Sequence, residues 1–410
     1  MFKLFFTKEM DNQIIARNEA FGGIIFNQKN GSTLMLDKEG FKLVVKAAYK
    51  KELTNEEKSF LHRVIPNPSG QKIKFLFEPS IKTGESFLLT THTPILIDLS
   101  LNNECNMQCP FCYMSAKPLG KGDIISMEDF NYLLLRMKEA RVLQIALGGG
   151  EPTLHPNFTQ ILKKLRKEAD IIPNYTTNGS NLTKEILVSS KKYCGAVAVS
   201  YNKSHFTQTL DAVKKLRQMN IKTNVHIVLL KENVPSLLDI LKKYEKVDIS
   251  GVVFLLFKPN GRGKTMRDQI ITTKEEKTLI REFIEITAFC QSKNIALHFD
   301  ACSAPFLRKM PFLPESIDGC NGSRYSCYVD WNLKAKPCSF MQEHNGVDLH
   351  EFNLLEAWNH DIFTGFRDTI THPRYKGCKE CDFFTSCWGG CPIIPEIAVC
   401  SLERDNIKKI

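Results

Sequence analysis

Short apolar runs alternate with amphipathic stretches from Ile95 to about Asn294, and this alternation constrains the fold of the 410-residue chain more than any other feature. The runs at Pro94–Ser100, Val142–Leu147, Ile171–Tyr175, Ala196–Tyr201, Thr223–Leu230 and Val252–Phe257 read as strands. Between them apolar residues recur at helical spacing, for example over Met127–Ala140, Asn157–Ala169 and Thr207–Met219. Consecutive strands linked through helices lie parallel, so six such units predict an α/β fold, a parallel sheet curled into a partial (β/α)6 TIM-like barrel. Chemistry in such barrels sits at the C-terminal ends of the strands, so functional residues are expected directly after each one.

The flanks read differently. Residues 1–90 resemble a small α+β module, with strands at Phe21–Phe26 and Ser32–Leu36 around the turn Gln28-Lys-Asn-Gly31. Helical patterns follow at Lys38–Lys51 and Asn55–Val64, the second opened by the capping box Thr54-Asn-Glu-Glu57, until Pro66, Pro68 and Gly70 break the pattern. Residues 296–410 hold few long helical patterns and most of the cysteines, as expected of a segment held by metal rather than by a large apolar core. The expected division is therefore 1–90, 94–295 and 296–410. No apolar run approaches a membrane span, and Gly251–Phe257, among the longest, reads as a buried strand. Met1–Phe6 lacks the apolar region of a secretory signal, which predicts a cytoplasmic protein without a membrane partner.

That compartment decides how to read fourteen cysteines, because reduced thiols that cluster point to metal rather than to disulfides. Eleven fall at 105–112 and 320–400, while Cys194, Cys290 and Cys302 stand alone and read as small buried hydrophobes. Directly after the first barrel strand, Cys105-x3-Cys109-x2-Cys112 offers three thiolates from one short loop. Iron–sulfur clusters commonly take four, so three leave one iron open for a ligand. A zinc knot is the competing reading, although zinc sites favour two paired C-x2-C elements. Phe111 is placed to cover the metal or to pack against a bound adenine. The second strand ends in Gly148-Gly149-Gly150-Glu151-Pro152, where glycines allow close approach of a ligand and the carboxylate is suited to an ammonium group.

The cysteine triplet followed by Gly-Gly-Glu-Pro resembles the radical S-adenosylmethionine (SAM) superfamily over about residues 94–295. The resemblance implies that Cys105, Cys109 and Cys112 bind a [4Fe–4S] cluster whose open iron chelates the methionine moiety of SAM. It implies further that Gly148, Gly149, Gly150 and Glu151 line the amino group, that Asn178 and Ser200 contact ribose and carboxylate, and that Arg262 lies near the adenine. The fourth-strand segment, Ser200-Tyr-Asn-Lys203, departs from the usual Ser-Leu-Asp-Gly form.

Cys378-x2-Cys381-x5-Cys387-x3-Cys391, with Cys400 after it and Cys320, Cys327 and Cys338 before it, resembles the SPASM/twitch auxiliary-cluster domain. A zinc ribbon explains only the C-x2-C. The family arrangement implies Cys320, Cys327, Cys338 and Cys391 around a nearer cluster and Cys378, Cys381, Cys387 and Cys400 around an outer one. Leu333 stands where the family has glycine, and the short gap to Cys400 leaves a single auxiliary cluster open as an alternative to two. The N-terminal stretch Arg17–Phe26 with its hairpin and helices resembles the winged-helix-like peptide-recognition element of peptide maturases, which adds a leader peptide to its sheet edge. A DNA-binding winged helix competes. However, its helices mix Glu with Lys, and the net charge of +10 comes largely from solvated Lys pairs such as Lys163-Lys164, so no nucleic-acid partner is expected.

The three parts together resemble the sactipeptide synthases. That resemblance implies a precursor peptide with a leader as substrate, a flavodoxin or ferredoxin as electron donor, and a 5′-deoxyadenosyl radical that removes an α-hydrogen. A substrate cysteine sulfur then bonds to that α-carbon while an auxiliary cluster accepts an electron. Other radical peptide modifications (a carbon–carbon crosslink, epimerisation, sulfatase-type maturation) and a non-enzymatic iron–sulfur regulator remain alternatives at this point.

Overall fold

The computed structural model describes residues 13–29, 31–49, 51–65, 72–76, 90–310 and 318–400, so Met1–Phe6 and the break at Pro66, Pro68 and Gly70 lie outside the described residues. The chain divides into two compact units, Met1–Ile95 and Leu96–Ile410.

The first unit holds β1 (Gln13–Glu19), β2 (Gly22–Asn27), β3 (Thr33–Asp37), α1 (Lys38–Ala48), α2 (Asn55–Val64) and β4 (Lys72–Leu76). Its sheet has the order β3-β2-β1-β4, antiparallel except for β1 beside β4. Asp37 caps α1 through Gly40 N at 2.8 Å, and Thr54 and Glu57 form the expected capping box on α2. Ile14, Ala16, Ile25, Leu36, Phe41, Val44 and Leu61 make the core between sheet and helices. β1 and β4 escape the sequence reading, and for β1 the reason is specific. Arg17 and Glu19 interrupt its apolar pattern, yet both are buried as an ion pair at 2.6 Å, with Arg17 also donating to Thr93 O at 3.0 Å. Buried charges survive only with such partners.

The second unit is built on one ten-stranded sheet, β11-β10-β9-β8-β7-β6-β5-β12-β13-β14. β5 (Leu96–Asn102), β6 (Gln144–Gly149), β7 (Ile172–Thr177), β8 (Val197–Ser200), β9 (Thr223–Leu229) and β10 (Gly251–Leu256) are the six expected barrel strands, all parallel. A seventh, β11 (Ala296–Phe299), pairs in parallel with β10 where the sequence division begins its C-terminal segment. That segment then returns to the opposite edge: β12 (Ser326–Val329) runs parallel to β5, and β13 (Lys334–Lys336) and β14 (Val347–Asp348) continue antiparallel.

Alternation sorts the strand residues onto two faces. Ile97, Leu99, Ile145, Leu147, Val225, Ile227, Val252 and Phe254 pack on the helices, including α3 (Met127–Glu139), α4 (Phe158–Glu168), α5 (Lys184–Tyr193), α6 (Phe206–Gln218), α7 (Leu237–Lys242) and α8 (Glu276–Lys293). The other face carries the small and polar residues Asp98, Ser100, Ala146, Gly148, Asn174 and His226, with Val228, Val253 and Leu255 on β9 and β10. Among the described residues no helix is long and apolar enough to cross a membrane.

Candidate active site

The loop after β5 is closed at its base. Ile125 N donates to Leu101 O at 2.9 Å, Asn103 N to Asp123 O at 3.0 Å, Lys117 N to Asn103 O at 2.7 Å and Cys105 N to Lys117 O at 2.8 Å. These bonds hold out a short segment bearing Cys105, Cys109 and Cys112, all half-buried and free. Met107 N and Asn178 Nδ2 donate to Cys105 Sγ at 3.3 and 3.7 Å, and Asn202 Nδ2 donates to Cys109 Sγ at 3.3 Å. Burial, followed by the field of Glu151 and Cys109, pushes the Cys105 thiol up; burial and the neighbouring Cys112 do the same to Cys109. Crowded thiols of this kind ionise when a metal supplies positive charge. Among the described residues, no three Cys, His, Asp or Glu side chains gather as ligands of a single metal ion.

The glycine triplet packs against the root of that loop. Gly150 N donates to Asn102 O at 2.9 Å and Glu151 N to Glu104 O at 2.8 Å. A Cβ on Gly149, whose φ is +115°, would lie 2.2 Å from Asn102 O, and one on Gly150 would lie 1.9 Å from Glu104 O. Gly148 differs, because nothing lies within 4 Å of the position its Cβ would take. Glu151 is 1% exposed, and its carboxylate accepts from Thr153 Oγ1 and Thr177 Oγ1, both at 2.6 Å, from Thr153 N at 3.2 Å and from Asn178 N at 2.7 Å. Both oxygens are thus engaged by the protein, where an ammonium contact was expected of them. Burial pushes the carboxyl up despite the four donors, and leaving it unsatisfied there would cost several kcal/mol, of order 2–7. Through Asn178 it orients the neighbourhood of Cys105.

Arg262 closes the opposite side. Its Nε donates to Cys109 O at 3.0 Å, its Nη1 to Ala116 O at 2.6 Å and its main-chain N to Cys112 O at 3.0 Å. Gly261, at φ +56°, permits this approach, since a Cβ would sit 2.4 Å from Tyr113 O. The guanidinium is therefore spent on holding the cysteine loop. Ser200 ends β8 half-buried, and it is Asn202, in the place of the usual Asp of the fourth-strand motif, that reaches the cysteines. That place in the motif was the signal for it. Phe111, Cys109, Tyr201, Asn202, Val228 and Leu230 line a cavity of about 580 Å³.

The C-terminal cysteines form two gatherings. Cys378, Cys381, Cys387 and Cys400 line one small cavity together with Arg308 and Tyr375. Arg308 donates to Cys381 Sγ at 3.0 Å and to Cys400 Sγ at 3.5 Å. In the second gathering, Cys302 and Cys391 pack in one apolar cluster with Phe340, two residues past Cys338, and Cys391 and burial together push the Cys302 thiol well up. A Cβ on Gly322 would lie 2.8 Å from Pro337 O and 3.6 Å from Cys320 Sγ, which places Cys320 at the same spot. Burial, then the Cys302 thiol, pushes Cys320 up to about 12, and Cys338 rises through burial, Cys320 and Cys302.

Cys327 stands elsewhere. It pairs with Ile97 in register and belongs to the main apolar core, whereas its neighbour Tyr328 reaches Ser100 Oγ at 2.9 Å on the barrel's inner face. Alternation along β12 thus turns Cys327 toward the apolar core and leaves Cys302, read from the sequence as a lone buried thiol, among the other three. Leu333 has φ +56°, the left-handed conformation for which glycine would be the ordinary residue. Beside this gathering the buried Lys258 ammonium pairs with Asp300 at 2.5 Å.

Residues 99–244 match the Radical SAM superfamily. The barrel with its cysteine loop is a radical SAM domain, and the cofactors of that superfamily are a [4Fe–4S] cluster and SAM; its SPASM-type members carry auxiliary clusters as well. Among curated proteins the chain is similar to the AdoMet-dependent heme synthase of Oleidesulfovibrio alaskensis, 21% identical over 326 residues that cover 72% of this chain and 82% of that one. It is also similar to the antilisterial bacteriocin subtilosin biosynthesis protein AlbA of Bacillus subtilis, 26% identical over 327 residues, 73% of this chain and 67% of AlbA. The crystal structure of Streptococcus suis SuiB bound to its precursor peptide SuiA has the same fold, with a TM-score of 0.70 at 17% identity over 96% of this chain and 98% of SuiB.

The residues present fit the cofactors of the superfamily. Three thiols on a braced loop leave one coordination position of a cluster free, the open space at Gly148 lies one βα unit away, and the cavity at Phe111 combines an apolar wall with the amide of Asn202.

Proposed function

We propose that the protein is a radical SAM peptide maturase that forms a thioether between a cysteine sulfur and the α-carbon of an acceptor residue in a ribosomally made precursor, as sactipeptide synthases do. In length and layout the chain resembles the sporulation killing factor maturase. The observation that carries this reading is the presence in one chain of a three-thiol barrel loop, two gatherings of four cysteines, and an N-terminal sheet whose edge strand β3 exposes Leu34. A sheet edge suits an extended leader peptide, because main-chain bonds supply the affinity. SuiB, similar over nearly its whole length, was crystallised with a precursor peptide, and AlbA belongs to bacteriocin biosynthesis; both favour a peptide over a haem precursor.

When bound, the cluster and SAM supply abstraction of a hydrogen atom from an unactivated C–H bond. The chain does the rest. Cys105, Cys109 and Cys112 present three thiolates, Asn178 and Asn202 donate to two of their sulfurs, and Arg262 with Gly261 fixes the loop. Glu151 holds Asn178 in place, and Gly148 leaves room for the methionine amino group. Cys302, Cys320, Cys338 and Cys391 hold the nearer auxiliary cluster, and Cys378, Cys381, Cys387 and Cys400 the outer one.

The test is the mass of a precursor peptide encoded beside the gene after incubation with reconstituted enzyme, reductant and SAM. Joining sulfur to an α-carbon removes two hydrogens, a loss of about 2 Da. Loss of the same mass with the substrate cysteines still alkylatable points to a carbon–carbon crosslink instead. An unchanged peptide alongside consumption of iron-coproporphyrin refutes the peptide reading.

A further inference from the structure

The outer cysteine gathering contains a cation that, among the described residues, no carboxylate neutralises. Arg308 follows α9 (Ala304–Leu307) and sends Nη1 to Cys381 Sγ at 3.0 Å and Nη2 to Cys400 Sγ at 3.5 Å, while its buried Nε has no hydrogen-bond partner among the described residues. Beside the nearer gathering the buried Lys258 ammonium is bound to Asp300 at 2.5 Å, and that carboxylate also accepts from Ser303 Oγ at 2.7 Å. Arg374 donates to the carbonyls of Gly389 and Gly390, and its positive field falls on Cys391 and Cys320 of the nearer gathering ahead of Cys387 of the outer one. The outer gathering carries, in Arg308, a guanidinium that donates directly to two of its sulfurs.

We propose that Arg308 raises the reduction potential of the outer auxiliary cluster, favouring that site as acceptor of an electron released during crosslinking. This rests on the reading of Cys378, Cys381, Cys387 and Cys400 as cluster ligands. The physical basis is charge. One-electron reduction makes a thiolate-ligated cluster more negative, and a fixed cation with N–H···S bonds stabilises the reduced form more than the oxidised one. Reduction potentials of such clusters follow net charge, hydrogen bonds to sulfur and exposure, and Arg308 acts through the first two.

The experiment is a potentiometric titration of the full-length reconstituted enzyme followed by electron paramagnetic resonance, with iron per chain measured alongside. Cys381→Ala identifies the outer transition as the one it abolishes. Arg308→Gln keeps polar donors but removes the charge, and is expected to move that same transition to lower potential with iron content and the other transitions unchanged; Arg308→Lys should move it less. An unmoved transition with full iron overturns the inference while the cluster reading stands. If Cys381→Ala removes neither iron nor a transition, the cluster reading itself has failed, and Arg308 with it. Should Arg308→Gln shed iron, the comparison passes to Arg308→Lys, where a lowered potential supports the inference and an unchanged one ends it.

Discussion

Gly148→Ala separates cofactor space from protein space. The added methyl meets no atom within 4 Å, and Gly148 has no left-handed φ to strain. Replacing a strand glycine with alanine at an unstrained site reduces the freedom of the unfolded chain and stabilises by about 0.4–1 kcal/mol. In a unit of this size that raises Tm by roughly 1–4 °C. If the amino group of SAM passes over the end of β6, the same methyl intrudes on it, and forcing a methyl into a filled site costs about 1–3 kcal/mol. SAM affinity then falls roughly 5- to 150-fold. Gly150→Ala is the contrast: its methyl collides with Glu104 O at 1.9 Å, so Tm itself must fall. The assay is equilibrium dialysis of SAM against reconstituted enzyme, with calorimetry on the same samples. Wild-type affinity in Gly148→Ala refutes the placement of the cofactor, and a lowered Tm in that variant refutes the claim that the space is free of protein.

Cys302→Ala should remove the iron of one auxiliary cluster, whereas Cys327→Ala keeps full iron and costs about 1 kcal/mol as an ordinary core change; iron counting on both variants decides, and the reverse result restores Cys327 to the ligand set. Gly261→Ala should shift the cysteine loop, since its methyl would lie 2.4 Å from Tyr113 O, and a displacement of about 1 Å lowers 5′-deoxyadenosine formation on the order of 100-fold; normal rates would show that the clamp is dispensable. Asp98, whose carboxyl burial pushes up to about 6, favours the folded state fully below the unfolded value near 3.9, and that contribution is lost as pH rises through 6. Asp98→Asn should therefore flatten the fall of Tm between about pH 4 and 6 in calorimetry, and parallel curves for the two proteins contradict it.

The barrel was legible because its signals are local. Each of its six strands carries its own apolar run, and each expected helix its own period, so boundaries agree within about two residues. The loop of Cys105, Cys109 and Cys112 was legible for the same reason. What escaped depends on partners distant in sequence. β11 has exposed Ala296 and His298 and only half-buried Leu297 and Phe299, so no strong run marks it. Cys302 looks solitary because the thiols it meets come from residues 320, 338 and 391. Arg308 sits at the end of a four-residue helix with nothing nearby to announce two sulfurs. Glu151 shows the converse: its motif is plain, yet whether its oxygens face a ligand or Thr153, Thr177 and Asn178 is decided by tertiary packing.

The pairing of β12 with β5 has a consequence for how the chain is made. β5 emerges early from the ribosome and gains β6 on one side soon afterwards, but its other edge waits for Ser326–Val329. Until then it is an open strand edge, with Leu96 N lacking the Tyr325 carbonyl it will bond at 3.3 Å. Open edges template wrong pairings, and parallel contacts between distant segments form slowly. The nascent chain thus passes through a vulnerable interval with its first cysteine loop already synthesised at the end of an unprotected strand. Any fragment ending before Ser326 remains in that interval permanently, and its expected fate is aggregation.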